Sequence, residues 1–514
     1  MSGIVKAGLQ ISLWTGISKI FGFLRDLCIA SVFGIGNAAD VVNVMLKMPN
    51  FFRRIFAEGA LSNVFIPTFN QKMSVSRQDA TDFANQLLFY LLGIVILIVF
   101  LIEVFMPYVV MVVAPGFMSE PEKMKNAVFL CRVSMPCLVS ITVVGLFGSV
   151  LNSGSRFFAF SISPVIMSIC IIIASRINHL NYYHRAFYLA VGLLFSGLFQ
   201  ISFMLIMLKK YRFAVPRVPR SNRHFQVLMF LKQLAPAALS ASAIQLQILV
   251  SQSIASFFPG AISILSYSER LYQVPLSILG VAFSSAILPE LSTRHFKNDK
   301  DGVVAIHDKS IKILWIFTIP FCTILILLSL PIVSLVYERG SFTHEISFKV
   351  ATTVALFSLG LPAIILGKLF NNLFYVHQNT SMLFRITLTY LLCNVILNII
   401  LVKFIGYLGI PVGSTIASWL QLILLVWLSF RKGYFCLPSA LIKWMIEVLM
   451  TGVVMGIAIH FTYKCLGSFF LDNFFLLRCG LLFIIISVGL IVYCAGIIFF
   501  KKVIITENRK IQIR

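Results

Sequence analysis

The residues of this sequence best placed to do chemistry are charges set inside apolar segments. Lys19, Arg25 and Asp26 fall in one segment, Asp40, Lys47, Arg53, Arg54 and Glu58 in the next, and Glu269 and Arg270 in a third. Arg132, Lys368 and Arg385 are further cations near the ends or in the interior of others. A charge in hydrocarbon costs several kcal/mol unless it is paired or lines water, so each is a candidate site residue. Asp26 adjoins Arg25, and Glu58 follows Arg54 and Arg53 by four and five residues, which makes these carboxylates natural partners. With those pairs counted, the first two segments keep an excess of about two cations, and Glu269 offsets part of Arg270. Such an excess in lipid points to an anionic ligand, for which Arg supplies forked donors. Lys19 and Arg25 stand about 240° apart around a helix, so they border a wide cavity rather than share a narrow stripe. The competing assignment, weightiest for Lys47 and Arg54, is an internal ion pair or a side chain that reaches the interface.

Catalytic chemistry is poorly provided for. Asp26 and Glu269 adjoin an arginine and Glu58 stands one helical turn from Arg54, which argues against a free acid/base pair, and no G-x-x-x-x-G-K-[ST] phosphate loop is present. The ten cysteines, Cys131, Cys170, Cys322 and Cys393 among them, form no C-x-x-C pair and read as small buried apolar residues. The expectation is a transporter with no catalytic residue, metal or cofactor, rather than an enzyme acting on lipid-linked sugars or an antiporter, whose cavity would be acidic or aromatic.

Those charges need a scaffold that holds them in lipid, and the composition supplies one. Of 514 residues, 59% are hydrophobic and 12% charged, with a mean hydropathy of +0.95. A water-exposed domain carries about 25% charged residues. The chain therefore reads as an all-α polytopic membrane protein of about fourteen spans, each needing roughly 20 apolar residues. The first spans are expected near 8–33, 38–69, 84–113 and 127–151, the seventh and eighth near 227–257 and 262–291, the tenth near 350–375, and the last two near 442–466 and 476–500. Gly, Pro and charge interrupt the first, second and eighth. The formal net charge of +24 is largely topological: Lys209, Lys210, Arg212, Arg217, Arg220 and Arg223 crowd one loop, and Lys501, Lys502, Arg509, Lys510 and Arg514 the C-terminus. The opposite loops hold few, such as Lys123 and Lys125. By the positive-inside rule both termini are cytoplasmic, and no nucleic-acid partner is implied. Residues 1–7 lack the features of a removable signal peptide.

An internal repeat organises these spans. Ala60-Leu-Ser-Asn-Val-Phe-Ile-Pro67 matches Ala282-Phe-Ser-Ser-Ala-Ile-Leu-Pro289, Pro107 and Gly116 match Pro331 and Gly340, and Pro136 and Asn152 match Pro362 and Gln378. The offset of about 222 to 226 residues is the length of six spans. Because six is even, the copies are parallel repeats, as in transporters that rock two lobes. The expected division is a six-helix lobe over 1–225, a second over 226–432, and two added helices with a basic tail over 433–514. Gly452-x-x-x-Gly456 in the first added helix suits close packing and is a weak dimerisation signal.

The same residues carry a resemblance. Ser18-Lys-Ile-Phe-Gly-Phe-Leu-Arg-Asp26, Ala39-Asp40, Lys47-Met-Pro-Asn-Phe-Phe-Arg-Arg-Ile-Phe-Ala-Glu-Gly-Ala60 and Phe65-Ile-Pro67 resemble the opening signature of the MurJ/MviN family of lipid II flippases. Tyr267-Ser-Glu-Arg-Leu-Tyr-Gln-Val-Pro275, Leu279-Gly-Val-Ala282, Ile287-Leu-Pro289 and Tyr337-Glu-Arg-Gly-Ser-Phe-Thr343 resemble its later signatures, and the likeness runs from residue 1 to about 500. The resemblance implies a member of the multidrug/oligosaccharidyl-lipid/polysaccharide exporter superfamily in the bacterial inner membrane. It would move lipid II, the undecaprenyl-diphosphate-linked disaccharide-pentapeptide, to the periplasmic leaflet for peptidoglycan synthesis. The family's cavity arginines carry over onto Arg25, Arg53 and Arg270, and a fourth falls on Lys19, which keeps the charge but not bidentate geometry. Asp26, Asp40, Arg54, Glu58 and Glu269 are then cavity support, with Glu269 standing where Asp is common. Partners would be lipid II, membrane lipids and other cell-wall synthesis proteins, with the chain a monomer. Another polyprenyl-diphosphate oligosaccharide, or a small molecule exchanged by an antiporter, is the alternative cargo.

Overall fold

The computed structural model describes residues 3–56, 60–177, 181–213, 245, 247–436, 438–466 and 475–512, and among them there is no strand. Ten stretches among them are long and apolar enough to cross a membrane, and one, Thr380–Arg431, is 52 residues long and contains the two long helices of two expected spans. The helices carrying Lys19, Arg25, Asp40 and Arg53 are not among the ten. Most of the expected seventh span, 227–257, lies outside the described residues.

The first repeat contains α1 (Gly3–Phe33), α2 (Asn37–Phe56), α3 (Ala60–Val75), α4 (Arg77–Val104), α5 (Met106–Val113), α6 (Pro121–Ser134), α7 (Cys137–Ser153), α8 (Phe157–Ser175) and α9 (Tyr182–Lys210). After a short helical stretch over 247–255 (α10) come α11 (Ala261–Pro275), a π-helical segment (Leu276–Ala282), α12 (Phe283–Phe296), α13 (Lys300–Leu327), α14 (Ser329–Tyr337), α15 (His344–Ser358), α16 (Leu361–Val376), α17 (Thr380–Ile405) and α18 (Gly409–Arg431). The added helices are α19 (Ser439–Leu466) and α20 (Phe475–Gln512).

Local chemistry sets many of these boundaries. The Ser76 hydroxyl accepts from the Gln78 N–H at the start of α4, Asn181 from Tyr183 at α9, and Asp299 from Gly302 at α13, each satisfying an orphan amide of the first turn. Breaks fall beside prolines, which lack the N–H and clash with the preceding turn: Pro107 and Pro331 open α5 and α14, and Pro136 and Pro362 stand where α6 gives way to α7 and α15 to α16. The breaks recur with the repeat. Helices α4 and α13, α6 and α15, and α8 and α17 all begin 223 residues apart, at 77 and 300, 121 and 344, and 157 and 380.

Two expectations about interruptions are revised. The first span is one unbroken helix of 31 residues, because Gly16 and Gly22 within it leave the intrahelical ladder intact. The third, fourth and tenth, expected to be continuous, are each built from two helices at the prolines just named. The eighth is interrupted as expected, by the π-helical segment, and residues 57–59 of the second lie outside the described residues.

The chain forms two compact units, one comprising 1–263 and 340–342, the other 264–339 and 343–514. In the first, Phe65, Phe69, Phe83, Leu87 and Phe147 form a core in which the Phe65 ring stacks on Phe69 at 5.1 Å. In the second, Trp315, Leu369, Phe370, Phe374, Leu425, Met455 and Ile485 are central. Phe89, Ile96 and Phe100 on α4, and Phe483 and Ile491 on α20, are exposed, as lipid-facing side chains are. Gly452 and Gly456 are occupied inside the chain: a Cβ at Gly452 would meet Ile319 of α13, and one at Gly456 would stand 3.2 Å from Leu327. The motif joins α19 to α13. The cysteines divide: Cys131, Cys137 and Cys322 are buried and Cys170 and Cys393 half-buried, whereas Cys436, Cys465 and Cys494 are exposed, since an apolar thiol is equally at home facing lipid.

Candidate functional site

In the first unit the charged residues of α1 form one tight pair. Arg25 donates to the same Asp26 oxygen from Nε at 3.0 Å and from Nη2 at 2.8 Å, and both residues are at least nine-tenths buried. The expected Arg25–Asp26 partnership is present, so this arginine is locally balanced, as the count of the excess assumed. Lys19, six residues earlier, is exposed. On α2, Lys47 and Arg53 are half-buried. The Arg54 side chain and Glu58 lie outside the described residues, and with them the expected pairing of Glu58.

Asp40 is the most enclosed of the sequence-selected carboxylates among the described residues, with no exposed surface. One oxygen accepts from Lys123 Nζ at 3.2 Å and from the Gly260 N–H at 2.8 Å; the other accepts from the N–H and hydroxyl of Ser263 at 3.0 and 2.7 Å. Those donors use its acceptor capacity, so Asp40 fastens the turn before α11 to the start of α2. Lys123 also donates to Asn37 Oδ1 at 3.0 Å and stands 4.4 Å above the Phe117 ring. Nearby, the Gly116 N–H donates to Ser256 Oγ at 2.8 Å, and Ser341 donates from its N–H to Ser31 O at 2.8 Å. Gly340, with φ +59°, approaches Ser31 so closely that a Cβ would collide with its carbonyl.

Lys123 is the functional-looking residue that sequence reasoning assigned to a loop. It is 2% exposed at the first turn of α6, while Lys125, two residues on, is exposed. Nothing in Pro-Glu-Lys-Met-Lys separates the two; only the alternation of faces along α6, unknown without its start, distinguishes them.

In the second unit Arg270 is exposed on α11 and Glu269 is half-buried. Six residues past Arg270 the helix passes into the π-helical segment Leu276–Ala282, a distortion frequent at functional sites. Arg132 and Arg385 are exposed, and Lys368 is half-buried on α16. An open groove of about 490 Å³ runs along α19, lined by Ser439, Ile442, Lys443, Ile446 and Glu447. Among the described residues no three His, Cys, Asp or Glu side chains are grouped as a metal site would require.

Comparison with known proteins bears on what these charges serve. The family model described as "Lipid II flippase MurJ" matches residues 29–480. The chain belongs to the MurJ family. A Rickettsia prowazekii (strain Madrid E) protein named "Probable lipid II flippase MurJ" is 36% identical over 98% of this chain and 99% of its own length. A Rhizobium tropici protein of the same name is 31% identical over 95% and 93%. Among solved structures, "Lipid II flippase MurJ, inward closed conformation" aligns with a TM-score of 0.80 at 26% identity, covering 96% of this chain and all of that one. An inward-facing multidrug resistance MATE family transporter of the MOP superfamily aligns at 0.66 with 15% identity over 85% and 99%, a likeness of fold alone. Within this MurJ chain the motif residues at Arg25, Asp26 and Asp40 have the partners described above, all in the first unit, and Arg270 belongs to the second.

Proposed function

We propose that this chain is a lipid II flippase that carries the undecaprenyl-diphosphate-linked peptidoglycan precursor from the cytoplasmic to the periplasmic leaflet of the bacterial inner membrane. The observation that carries the reading is the full-length likeness to lipid II flippases, from the family model over 29–480 to relatives aligned end to end. The charge chemistry supports it: a diphosphate is a compact anion, and Arg meets it with paired donors. Arg25, Arg53 and Arg270 bind the diphosphate, Lys19 adds a point charge, Asp26, Arg54, Glu58 and Glu269 hold or balance them, and Asp40 supports the cavity indirectly, by fastening α2 through Lys123, Gly260 and Ser263.

The lobes are the six-helix repeats 1–225 and 226–432, followed by 433–514, whose groove on α19 accepts the lipid tail. Both termini are cytoplasmic, the chain works as a monomer by alternating access, and it performs no bond chemistry on its cargo. Other cell-wall synthesis proteins take up the delivered substrate. A bacterial potential, negative inside, draws the empty cationic cavity toward the cytoplasm by about 2.3 kcal/mol per charge per 100 mV crossed in full. Bound diphosphate cancels that charge and releases the carrier to open outward.

Transfer of labelled lipid II between leaflets of vesicles, with and without the protein, tests the reading. Arg25→Ala, Arg53→Ala and Arg270→Ala are each expected to abolish transfer at matched insertion, and Lys19→Arg to preserve it. Normal transfer by all three alanine variants defeats the assignment of the site. Collapse of the potential with the pH gradient held constant is expected to stop transfer; unchanged flux rejects the coupling.

A further inference from the structure

Helix α16 is buried on every side but one. Twelve of its 16 residues are buried, and the four that are not, Ile364, Lys368, Asn371 and Tyr375, follow one another at intervals of four, three and four. On a helix those positions form one stripe about 60° wide. Lys368 is its charged member.

The neighbouring rod is shaped around that lysine. A Cβ at Gly280 would stand 3.1 Å from Lys368 Cδ and 3.5 Å from Ile365 Cγ1, so the missing side chain leaves room for the lysine stem. Gly280 lies within the π-helical segment, on the rod that carries Arg270. One turn further along, Asn372 Nδ2 donates to the Ser284 carbonyl at 2.8 Å and pins α16 to α12. The polar groups of the open stripe are not used in this way. Lys368 makes no hydrogen bond or ion pair among the described residues, and the Asn371 side chain makes no hydrogen bond among them either, which leaves its Nδ2 as the donor an anion can use.

A lysine so placed has few passive explanations. Facing hydrocarbon, an unpaired ammonium is costly. Reaching the nearer end of the membrane span His344–Val376 is opposed by geometry: Val376 is eight residues, about 12 Å, away, and Cβ atoms tilt toward the helix N-terminus, into the span. What remains is a wet surface where an ammonium and an amide await an anion.

We propose that Lys368, with Asn371, is an anion-binding station of the second unit that takes a phosphate of the lipid-linked diphosphate cargo. The proposal rests on the functional reading above. Lys binds phosphate as a point charge without a fixed fork, which suits a station the cargo passes rather than one that fixes its orientation.

Full-length protein in nanodiscs, titrated with undecaprenyl diphosphate and in parallel with phosphatidylglycerol, tests it. Lys368→Met is expected to weaken undecaprenyl diphosphate binding roughly tenfold, the size of one charge-assisted contact. Lys368→Arg is expected to restore most of that loss. The thermal midpoint without ligand is expected to hold or rise in Lys368→Met, because an unpaired charge has left a partly buried position. Wild-type binding with an unchanged Lys368→Met variant overturns the inference alone. So does a midpoint that falls with affinity in both Lys368→Met and Lys368→Gln, which makes the lysine structural, or a Lys368 dependence seen with phosphatidylglycerol but not with the diphosphate. Failure of the wild type to bind the diphosphate overturns the functional reading and this inference with it.

Discussion

Lys123 and Lys368 are lysines within helices of the two units, and their surroundings are opposite. Lys123 is 2% exposed, paired with Asp40 and bonded to Asn37, whereas Lys368 sits half-buried on the single open stripe of α16 with no such partner among the described residues. The difference separates a cation used up in holding a fold together from one left free to meet a ligand. The repeat sharpens the point. Helix α7 occupies the place of α16 in the first repeat, and Val144, as far from the start of α7 as Lys368 is from the start of α16, is 5% exposed within an unbroken buried run from Ser140 to Leu151. One copy of the helix is filled with apolar and small side chains all round, and the other keeps a polar face.

The largest effect expected from breaking this contrast is at Lys123. Lys123→Met leaves the Asp40 carboxylate buried without its counter-charge, a loss of about 3 to 5 kcal/mol. Thermal unfolding in detergent is expected to show a steep fall in midpoint, partly recovered when Asp40→Asn removes the orphaned charge. A midpoint within a degree or two of wild type indicates that the pair is dispensable and the contrast with Lys368 empty.

Next in size is the transplant of the second copy's charge into the first. Val144→Lys places an ammonium in a closed interior and is expected to cost about 3 kcal/mol, the insertion penalty of a central Lys. Expression of correctly inserted protein is the readout, and normal yield with an unchanged midpoint shows that α7 has an accessible face after all.

Packing within the second unit predicts a smaller effect. Gly452→Ala drives a methyl group into Ile319 and is expected to cost about 1 to 3 kcal/mol while leaving the oligomeric state unchanged. A change of mass in solution at unaltered stability indicates that the motif faces another copy rather than α13.

The smallest effect concerns Glu338, outside the membrane-spanning stretches. Burial pushes its carboxyl up, but hydrogen bonds from Ser334 Oγ at 2.5 Å, His344 Nδ1 at 3.2 Å and Ser347 Oγ at 3.1 Å outweigh this and hold it below its ordinary value of 4.5. A depressed carboxyl contributes stability that is full above the ordinary value and is lost as pH falls through the lowered one. Glu338→Gln is therefore expected to be less stable than wild type at neutral pH and to converge with it as pH falls below the ordinary carboxyl value of 4.5 and through the lowered one. Parallel pH profiles for the two proteins contradict this.

What the sequence determined by itself follows from local physics. Low charge content and long apolar runs require helices in lipid, prolines and capping side chains mark breaks and starts, and a repeated pattern yields repeated helix boundaries 223 residues apart. The Arg25–Asp26 pair was legible because its members are adjacent. Tertiary structure alone decided which charges are spent. Asp40 meets Lys123 across 83 residues of chain and Gly260 across 220, and no periodicity reports such a meeting. Lys123 and Lys125 look alike in the chain, as do Lys123 and Lys368, because a lysine's role depends on whether an opposite charge arrives from elsewhere in the fold. The two-helix construction of the third, fourth and tenth spans was hidden for a related reason. An apolar run reads the same whether its helix is straight or broken, and the packing of the neighbouring helices determines whether a proline bends the rod or divides it.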